Sequence, residues 1–159
     1  MTFPVGALTV SDGVVRGTRE DVSGRILAEK LREAGYELVE QGVVADDEQR
    51  IYDTLLDWCG RCDLIVTTGG TGFAPRDITP EATRRLIDRD VPGIPELLRS
   101  VGMQSNPRAV LSRGLAGIHG RTLIINLPGS PRAVEENMDT LKDLLPHALS
   151  LLLEQPVDQ

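Results

Sequence analysis

The stretch Asp63–Asp77, DLIVTTGGTGFAPRD, joins two patterns that belong together in only a few architectures. Its first half, DLIVTT (63–68), is apolar and β-branched on both faces, as a strand at the centre of a parallel sheet must be. Its second half turns on Gly69, Gly70, Thr71 and Gly72, then adds Pro75, Arg76 and Asp77. Glycines directly after a buried strand allow positive φ and let the backbone approach a ligand closely. Successive N–H groups in such a turn form an anion nest, and a phosphate is its natural guest. A tight structural turn is the competing explanation. The loop matches neither the P-loop, which ends in Gly-Lys-Ser/Thr, nor the dinucleotide pattern G-x-G-x-x-G.

Outward from this strand, apolar runs and helical patterns alternate. VGALTV (5–10) and YELVEQGVV (36–44) read as further strands. Between them Ser23 can cap a helix whose stripe is Ile26, Leu27 and Leu31. Asp46 or Asp47 can cap a second helix, with Ile51, Leu55 and Trp58 at helical spacing. Thr79-Pro80-Glu81 opens a third as N-cap, N1 proline and first-turn acid, with Pro92-Gly93 as its stop. IPELLRSVG (94–102) is a shorter helix. In AVLSRGLAGIHGRTLIINL (109–127), two strand-like runs flank a hairpin tip at His119-Gly120. A long amphipathic helix follows Pro131, with a break at Pro146. This order predicts an α/β fold: a three-layer, doubly wound, mostly parallel sheet with one antiparallel element, in one domain over 1–159.

In such folds ligands sit outside the carboxyl ends of the strands, where the strand order reverses. Those ends carry Ser11-Asp12-Gly13, Asp46-Asp47, Thr68 with Gly69 to Gly72, and Pro128-Gly129-Ser130. Loops favour these residues in any case. Yet Ser130-Pro131 offers a second helix N-terminus and so a second candidate anion site. Asp77 and Asp46 would repel phosphates unless a cation intervened, and Mg²⁺ commonly takes one or two carboxylates plus phosphate oxygens. Metal-assisted phosphoryl or nucleotidyl transfer needs that grouping, with Arg76 available to neutralise developing charge. The plainer alternative is that Asp77 caps a turn and Arg76 is solvated.

Composition narrows the classes. A net charge of −7 argues against DNA or anionic membranes as partners. With 3% aromatic residues, a base-stacking surface for single-stranded nucleic acid has little to build on. No apolar run approaches the ~18 residues of a membrane span. The opening MTFPVGALTVSDG reads as a strand rather than a signal peptide, which places the protein in the cytoplasm. Cys59 and Cys62 form a C-x-x-C pair, either a redox couple or a coincidence near a helix end, and no second pair or histidine completes a zinc site. His119 and His147 each stand alone, and no G-x-S-x-G is present.

LTVSD (8–12), TTGGTGFAPRDITPEAT (67–83) and LSRGLAGIHGRTLIINLPGSP (111–131) together resemble the molybdopterin adenylyltransferases of the Mog/MoaB type. The G domains of plant and animal two-domain molybdenum-cofactor proteins belong to the same group. The resemblance runs from about Ala7 to Leu152. It implies a molybdopterin-binding-like fold and a reaction in which the molybdopterin phosphate attacks the α-phosphorus of ATP, with Mg²⁺ as cofactor and pyrophosphate released. It implies Asp77 and Asp46 as the catalytic, metal-binding aspartates. Val44-Ala45 replaces the family's common Ile/Val-Pro there, which keeps Asp47 in contention. It further implies Ser11, Asp12, Thr68, Arg76 and Gly69 to Gly72 on the phosphate side. By the same resemblance Ser112 and Ser130 would contact the pterin or its phosphate, and Asn126, Pro128 and Gly129 would shape that wall. A homotrimer is expected, as is a separate downstream protein that inserts molybdate. The rivals are a non-catalytic pterin carrier and a nucleotide pyrophosphatase on a related fold.

Overall fold

The computed structural model describes residues 2–154. The few residues of the expected domain beyond these limits lie outside the described part. Strand β1 (Pro4–Val10) leads through the single turn α1 (Asp12–Val15) and helix α2 (Val22–Glu33) to β2 (Glu37–Val44). Helix α3 (Glu48–Cys59) returns the chain to β3 (Leu64–Thr68), and α4 (Thr79–Leu86) follows. A short β4 (Arg89–Asp90) and α5 (Gly93–Ser105) precede a 3₁₀ turn (Pro107–Leu111). The hairpin β5 (Ala116–His119) and β6 (Thr122–Leu127) then gives way to α6 (Pro131–Leu141) and α7 (Leu145–Leu152).

These strands form one sheet in the order β2-β1-β3-β6-β5-β4. β1, β2, β3 and β6 run parallel, and β5 is antiparallel to both of its neighbours. The single antiparallel element is therefore the one expected late in the chain. β3 lies at the centre with every residue buried, which accounts for its lack of a polar face. Its alternate side chains feed two separate cores. Leu64 and Val66 pack with α2, α6 and α7 through Leu27, Leu31, Met138, Leu141 and Leu149. Ile65 points the other way, into Ile51, Leu55, Trp58, Ala82 and Leu86 of α3 and α4. Each fully buried Leu or Ile contributes about 1.5–3 kcal/mol, so both helical layers are held by the same central strand.

Several boundaries differ from the sequence reading. Asp21, not Ser23, caps α2 by accepting from the Gly24 amide at 3.0 Å; Ser23 sits inside the helix and donates to the Gly129 carbonyl. Thr79 is the first helical residue of α4 rather than its cap, because its hydroxyl donates to the Gly69 carbonyl. That helix stops at Leu86, well before Pro92, where the chain leaves to form β4. The first strand-like run of 109–127 is partly a 3₁₀ turn, since Pro107 and the Asn106 side chain bonded to the Arg108 amide initiate helical geometry. Pro146 marks the start of α7, at a position where its missing N–H costs nothing.

Candidate active site

The strand order reverses between β1 and β3, since β2 lies on one side of that pair and β6 on the other. At the carboxyl ends of these strands opens a cavity of about 830 Å³. The segment after each parallel strand lines it: Ser11 after β1, Asp46 after β2, Gly69 to Gly72 and Asp77 after β3, and Pro128 to Ser130 after β6. Helices α2 and α6 and the α5–3₁₀ segment form the far wall.

The glycine loop is rigidly posed. Gly69 and Gly70 have φ of +99° and +71°, values side-chain-bearing residues rarely adopt. A Cβ on Gly69 would lie 2.3 Å from the Val10 carbonyl, and one on Gly70 would lie 2.2 Å from Thr79 Oγ1. Four consecutive carbonyls of this loop are held from outside. Thr79 Oγ1 donates to Gly69 at 2.9 Å, and the Thr79 amide donates to Gly70 at 3.1 Å. The Arg113 amide donates to Thr71 at 2.8 Å, and Arg113 Nε donates to Gly72 at 2.8 Å. In a planar trans peptide each carbonyl opposes the next residue's N–H, so holding the carbonyls aims the following amides the other way. The Gly69 amide is itself occupied, donating to Leu127 at 3.1 Å. Among the described residues the amides of Gly70, Thr71 and Gly72 donate to no protein acceptor, so the anion cradle is shorter by one residue than the sequence indicates.

Asp46, after β2, and Asp77, further along the segment that follows β3, both border this loop. Asp46 Oδ1 is 3.3 Å from the position a Gly70 Cβ would take, and Asp77 Oδ2 is 2.8 Å from that of Gly72. Asp77 Oδ2 accepts from the Ala74 amide at 2.9 Å, which turns the carboxylate back toward the glycines. Burial raises the Asp46 pKa; the amide of Asp12 opposes this, and the charges of Asp12 and Asp77 push it further up. A hard cation between the two aspartates would relieve that strain, and two carboxylates plus phosphate oxygens make a Mg²⁺ donor set. The residues present thus fit the ion. No group of three or more His, Cys, Asp or Glu side chains among the described residues is arranged to hold a metal without such a substrate.

At the end of β2 the structure brings Asp46, and not Asp47, to the cavity. Asp47 caps α3, accepting from the Arg50 amide at 2.9 Å, while Asp46 faces the cavity. Asp12 and Arg76 stand outside the cavity lining and hold its rim instead. Asp12 and Asp46 exchange hydrogen bonds, each carboxylate accepting the other's amide at 2.9 and 3.0 Å. Arg76 grips the Asp12 carboxylate through Nε and Nη2. That grip, then the Asp46 amide, holds the Asp12 pKa down at about 2. The expectation that Arg76 is free for a phosphate is therefore not met: its guanidinium already has a partner.

On the remaining wall, Thr68 Oγ1 donates to the Pro128 carbonyl at 2.7 Å and ties β3 to the 128–130 turn. Asn126 is buried and spends its amide internally, donating to Thr67 and Thr83 at 3.1 Å and accepting from the Leu115 amide at 3.2 Å. Ser130 caps α6 through the Ala133 amide, and Ser112 Oγ accepts from Gly114; both also line the cavity. Sequence reading missed the arginines at this wall. Arg99 braces the Ser112 and Gly114 carbonyls at 3.3 and 3.1 Å, and Arg19, Arg108 and Arg132 also line the space. The excess of arginine, fifteen to two lysines, was the available signal, but nothing local distinguished these from surface arginines.

The cysteines lie at the opposite, amino-terminal end of the central strands, just before β3. Thr122 Oγ1 donates to the Cys59 and Cys62 carbonyls at 3.2 and 2.7 Å. Both thiols are free, and burial raises both, Cys62 to about 12. A thiol that retains its proton is a poor redox nucleophile. His119 bonds the Leu86 carbonyl through Nδ1 at 2.8 Å, also away from the cavity.

The same fold recurs among known proteins. A family described as "Probable molybdopterin binding domain" matches residues 6–147. The chain is 41% identical over 156 residues to a molybdopterin adenylyltransferase of Helicobacter pylori strain J99, covering 96% of this chain and 89% of that one. It is 37% identical over 147 residues to the molybdopterin adenylyltransferase of Escherichia coli K12, covering 89% and 75%. Among solved structures, the molybdopterin biosynthesis enzyme MoaB of Thermus thermophilus superimposes with a TM-score of 0.92 at 49% identity, over 99% of this chain and 100% of that one. The tungsten cofactor synthesizing protein MoaB of Pyrococcus furiosus gives 0.88 at 34% identity, over 95% and 97%.

Proposed function

The chain belongs to the molybdopterin-binding domain family, and from that premise we propose that it is a molybdopterin adenylyltransferase acting in molybdenum cofactor biosynthesis. AMP passes from ATP to the terminal phosphate of molybdopterin: a molybdopterin phosphate oxygen bonds to the α-phosphorus, the bond to the β-phosphate bridging oxygen breaks, and pyrophosphate departs with the electron pair. The observation that carries this reading is the convergence of two carboxylates, one after β2 and one after β3, on three free loop amides in one cavity.

The division of labour follows from the geometry. The amides of Gly70, Thr71 and Gly72 receive phosphate oxygens and stabilise charge on the transferring group. Asp46 and Asp77 would hold Mg²⁺, and the ion would supply charge neutralisation at the phosphate oxygens. No strong acid or base is required, because positioning and electrostatics carry most phosphoryl-transfer catalysis. Ser112 and Ser130 face the pterin and its phosphate, while Asn126, Pro128 and Gly129 form its wall. Asp12 and Arg76 support Asp46 from behind.

A single domain, a cytoplasmic location and a homotrimer belong to the same proposal. The first is supported by one continuous sheet with both faces covered. No helix of the described residues is long and apolar enough to cross a membrane. Met103, Val110 and Leu111 stay exposed on α5 and the adjoining turn, a face that a second copy would cover. Molybdate insertion would fall to a separate downstream protein. Incubation with molybdopterin, ATP and Mg²⁺ tests the reading: adenylylated molybdopterin is the expected product. Release of AMP without any pterin would instead identify a pyrophosphatase, and pterin binding with no Mg²⁺-dependent ATP affinity would identify a carrier.

A further inference from the structure

Arg113 reaches four parts of the site without lining the cavity itself. Its amide donates to the Thr71 carbonyl and its Nε to the Gly72 carbonyl, both at 2.8 Å. Nη2 donates to the Asp77 carbonyl at 2.8 Å. Nη1 donates to both oxygens of Glu81, in the first turn of α4, at 2.8 and 3.0 Å. One residue therefore fixes the second half of the glycine loop, the backbone of the metal-side aspartate, and the helix that follows them.

The segment it fixes has little stiffness of its own. Gly69, Gly70 and Gly72 lose more backbone freedom on ordering than other residues, and Phe73 beside them is 70% exposed, with almost nothing packed on it. Thr79 secures only the first two carbonyls. The guanidinium is suited to the rest because its donors diverge in one rigid plane, toward two carbonyls and a carboxylate at once; an ammonium offers three donors from a single point.

We propose that Arg113 is a positioning residue for adenylyl transfer: it sets the Thr71, Gly72 and Asp77 peptides so that the free amides and the Asp77 carboxylate meet the reacting phosphates. The proposal deepens the function proposed above and rests on it for the reaction, but not for the clamp. Arg113 acts through the loop, so its loss lowers the rate of transfer rather than the affinity for the pterin. Its neighbours Ser112 and Gly114, braced by Arg99, belong to the pterin wall, so the clamp also fixes the distance between the two substrates.

The experiment compares Arg113→Lys, Arg113→Gln and Glu81→Gln with the unaltered protein. Three readouts are taken: kcat and KM for adenylylation, molybdopterin affinity by fluorescence titration, and amide hydrogen exchange by NMR. Misplacing reacting groups by about 1 Å can cost roughly a hundredfold, so kcat should fall about 10- to 100-fold in both Arg113 variants, Gln the more severe. Molybdopterin affinity should stay within about twofold, the mark of an interaction absent from ground-state binding. The hydrogen-bonded amides of Ala74, Asp77 and Thr79 should exchange faster, while those of β3 and β6 keep their protection. Glu81→Gln retains the carbonyl contacts and should show a smaller loss. An unchanged kcat in Arg113→Gln, or exchange accelerated equally across the sheet, overturns the proposal. If the unaltered protein forms no adenylylated product, the reaction is misassigned, and the exchange pattern still decides whether Arg113 holds the loop.

Discussion

The two ends of β3 are built on opposite terms. At its amino end, Cys59 and Cys62 meet β6 through a Thr122 hydroxyl shared between their two carbonyls, and Gly6 of β1 leaves room for the Trp58 ring. Apolar packing is close and the thiols stay protonated. At its carboxyl end, the glycine loop leaves three amides without acceptors among the described residues, and the charges of Asp12 and Asp77 both repel the Asp46 carboxylate. The strand is one rigid element, so the difference lies in what is left unsatisfied. The end with open donors and crowded charge is the one to which the proposed function assigns a phosphate and a cation, and the closed end supplies the stability that this arrangement costs.

Substitutions at the two ends should therefore separate activity from stability. The largest effect is expected from Asp77→Ala, which should abolish adenylylation while leaving molybdopterin affinity largely intact; an undiminished rate of product formation would sink the assignment. Asp46→Asn should lower the rate by about a hundredfold or more, by removing a metal ligand, and should also raise the melting temperature of the metal-free protein. The sign follows from the raised pKa of Asp46. Its charged form is disfavoured in the folded state, so the cost builds as pH rises from the unfolded-state pKa through the higher folded-state pKa and vanishes only below the unfolded-state pKa. The stability gap between wild type and Asp46→Asn should narrow on acidification, and calorimetry at two pH values would reveal a constant gap if this is wrong.

At the quiet end the pattern should invert. A Cβ on Gly6 would lie 2.8 Å from Trp58 Cε3, so Gly6→Val should destabilise by about 1–3 kcal/mol through overpacking. Its kcat/KM below the melting transition should match wild type; a selective loss of activity would mean that the two ends are not independent. The smallest effect is expected from Cys59→Ser, which should leave both the rate and its response to oxidants unchanged in a steady-state assay.

How much of this the sequence disclosed depends on the range of the interaction. β3 was legible because burial on both faces leaves an unbroken apolar run, and the glycine loop because positive φ selects residue type directly. The antiparallel element was legible from the two runs flanking His119-Gly120. Asp46 and Asp47 could not be told apart, since both are acids ahead of a helix and only the fold shows which one turns to cap it. Ser23 looked like a cap by type, but Asp21, two residues earlier, took the Gly24 amide. Arg76 and Arg113 were the hardest. Each is defined by a partner more than thirty residues away, and neither periodicity nor local spacing records such a partner. The sequence put Arg76 at the phosphates and gave Arg113 no role, whereas the fold pairs Arg76 with Asp12 and places Arg113 on the loop.

The reciprocal bonds between Asp12 and Asp46 bear on how variants of this protein are to be read. Each carboxylate holds the other's backbone, so the two positions form a single pin made of halves that follow β1 and β2. A random screen for loss of function would recover Asp12 beside Asp46 and score them alike, although of the two only Asp46 lines the cavity. Adding excess Mg²⁺ would tell them apart: a displaced but intact Asp46 can still be saturated with metal, and a missing one cannot.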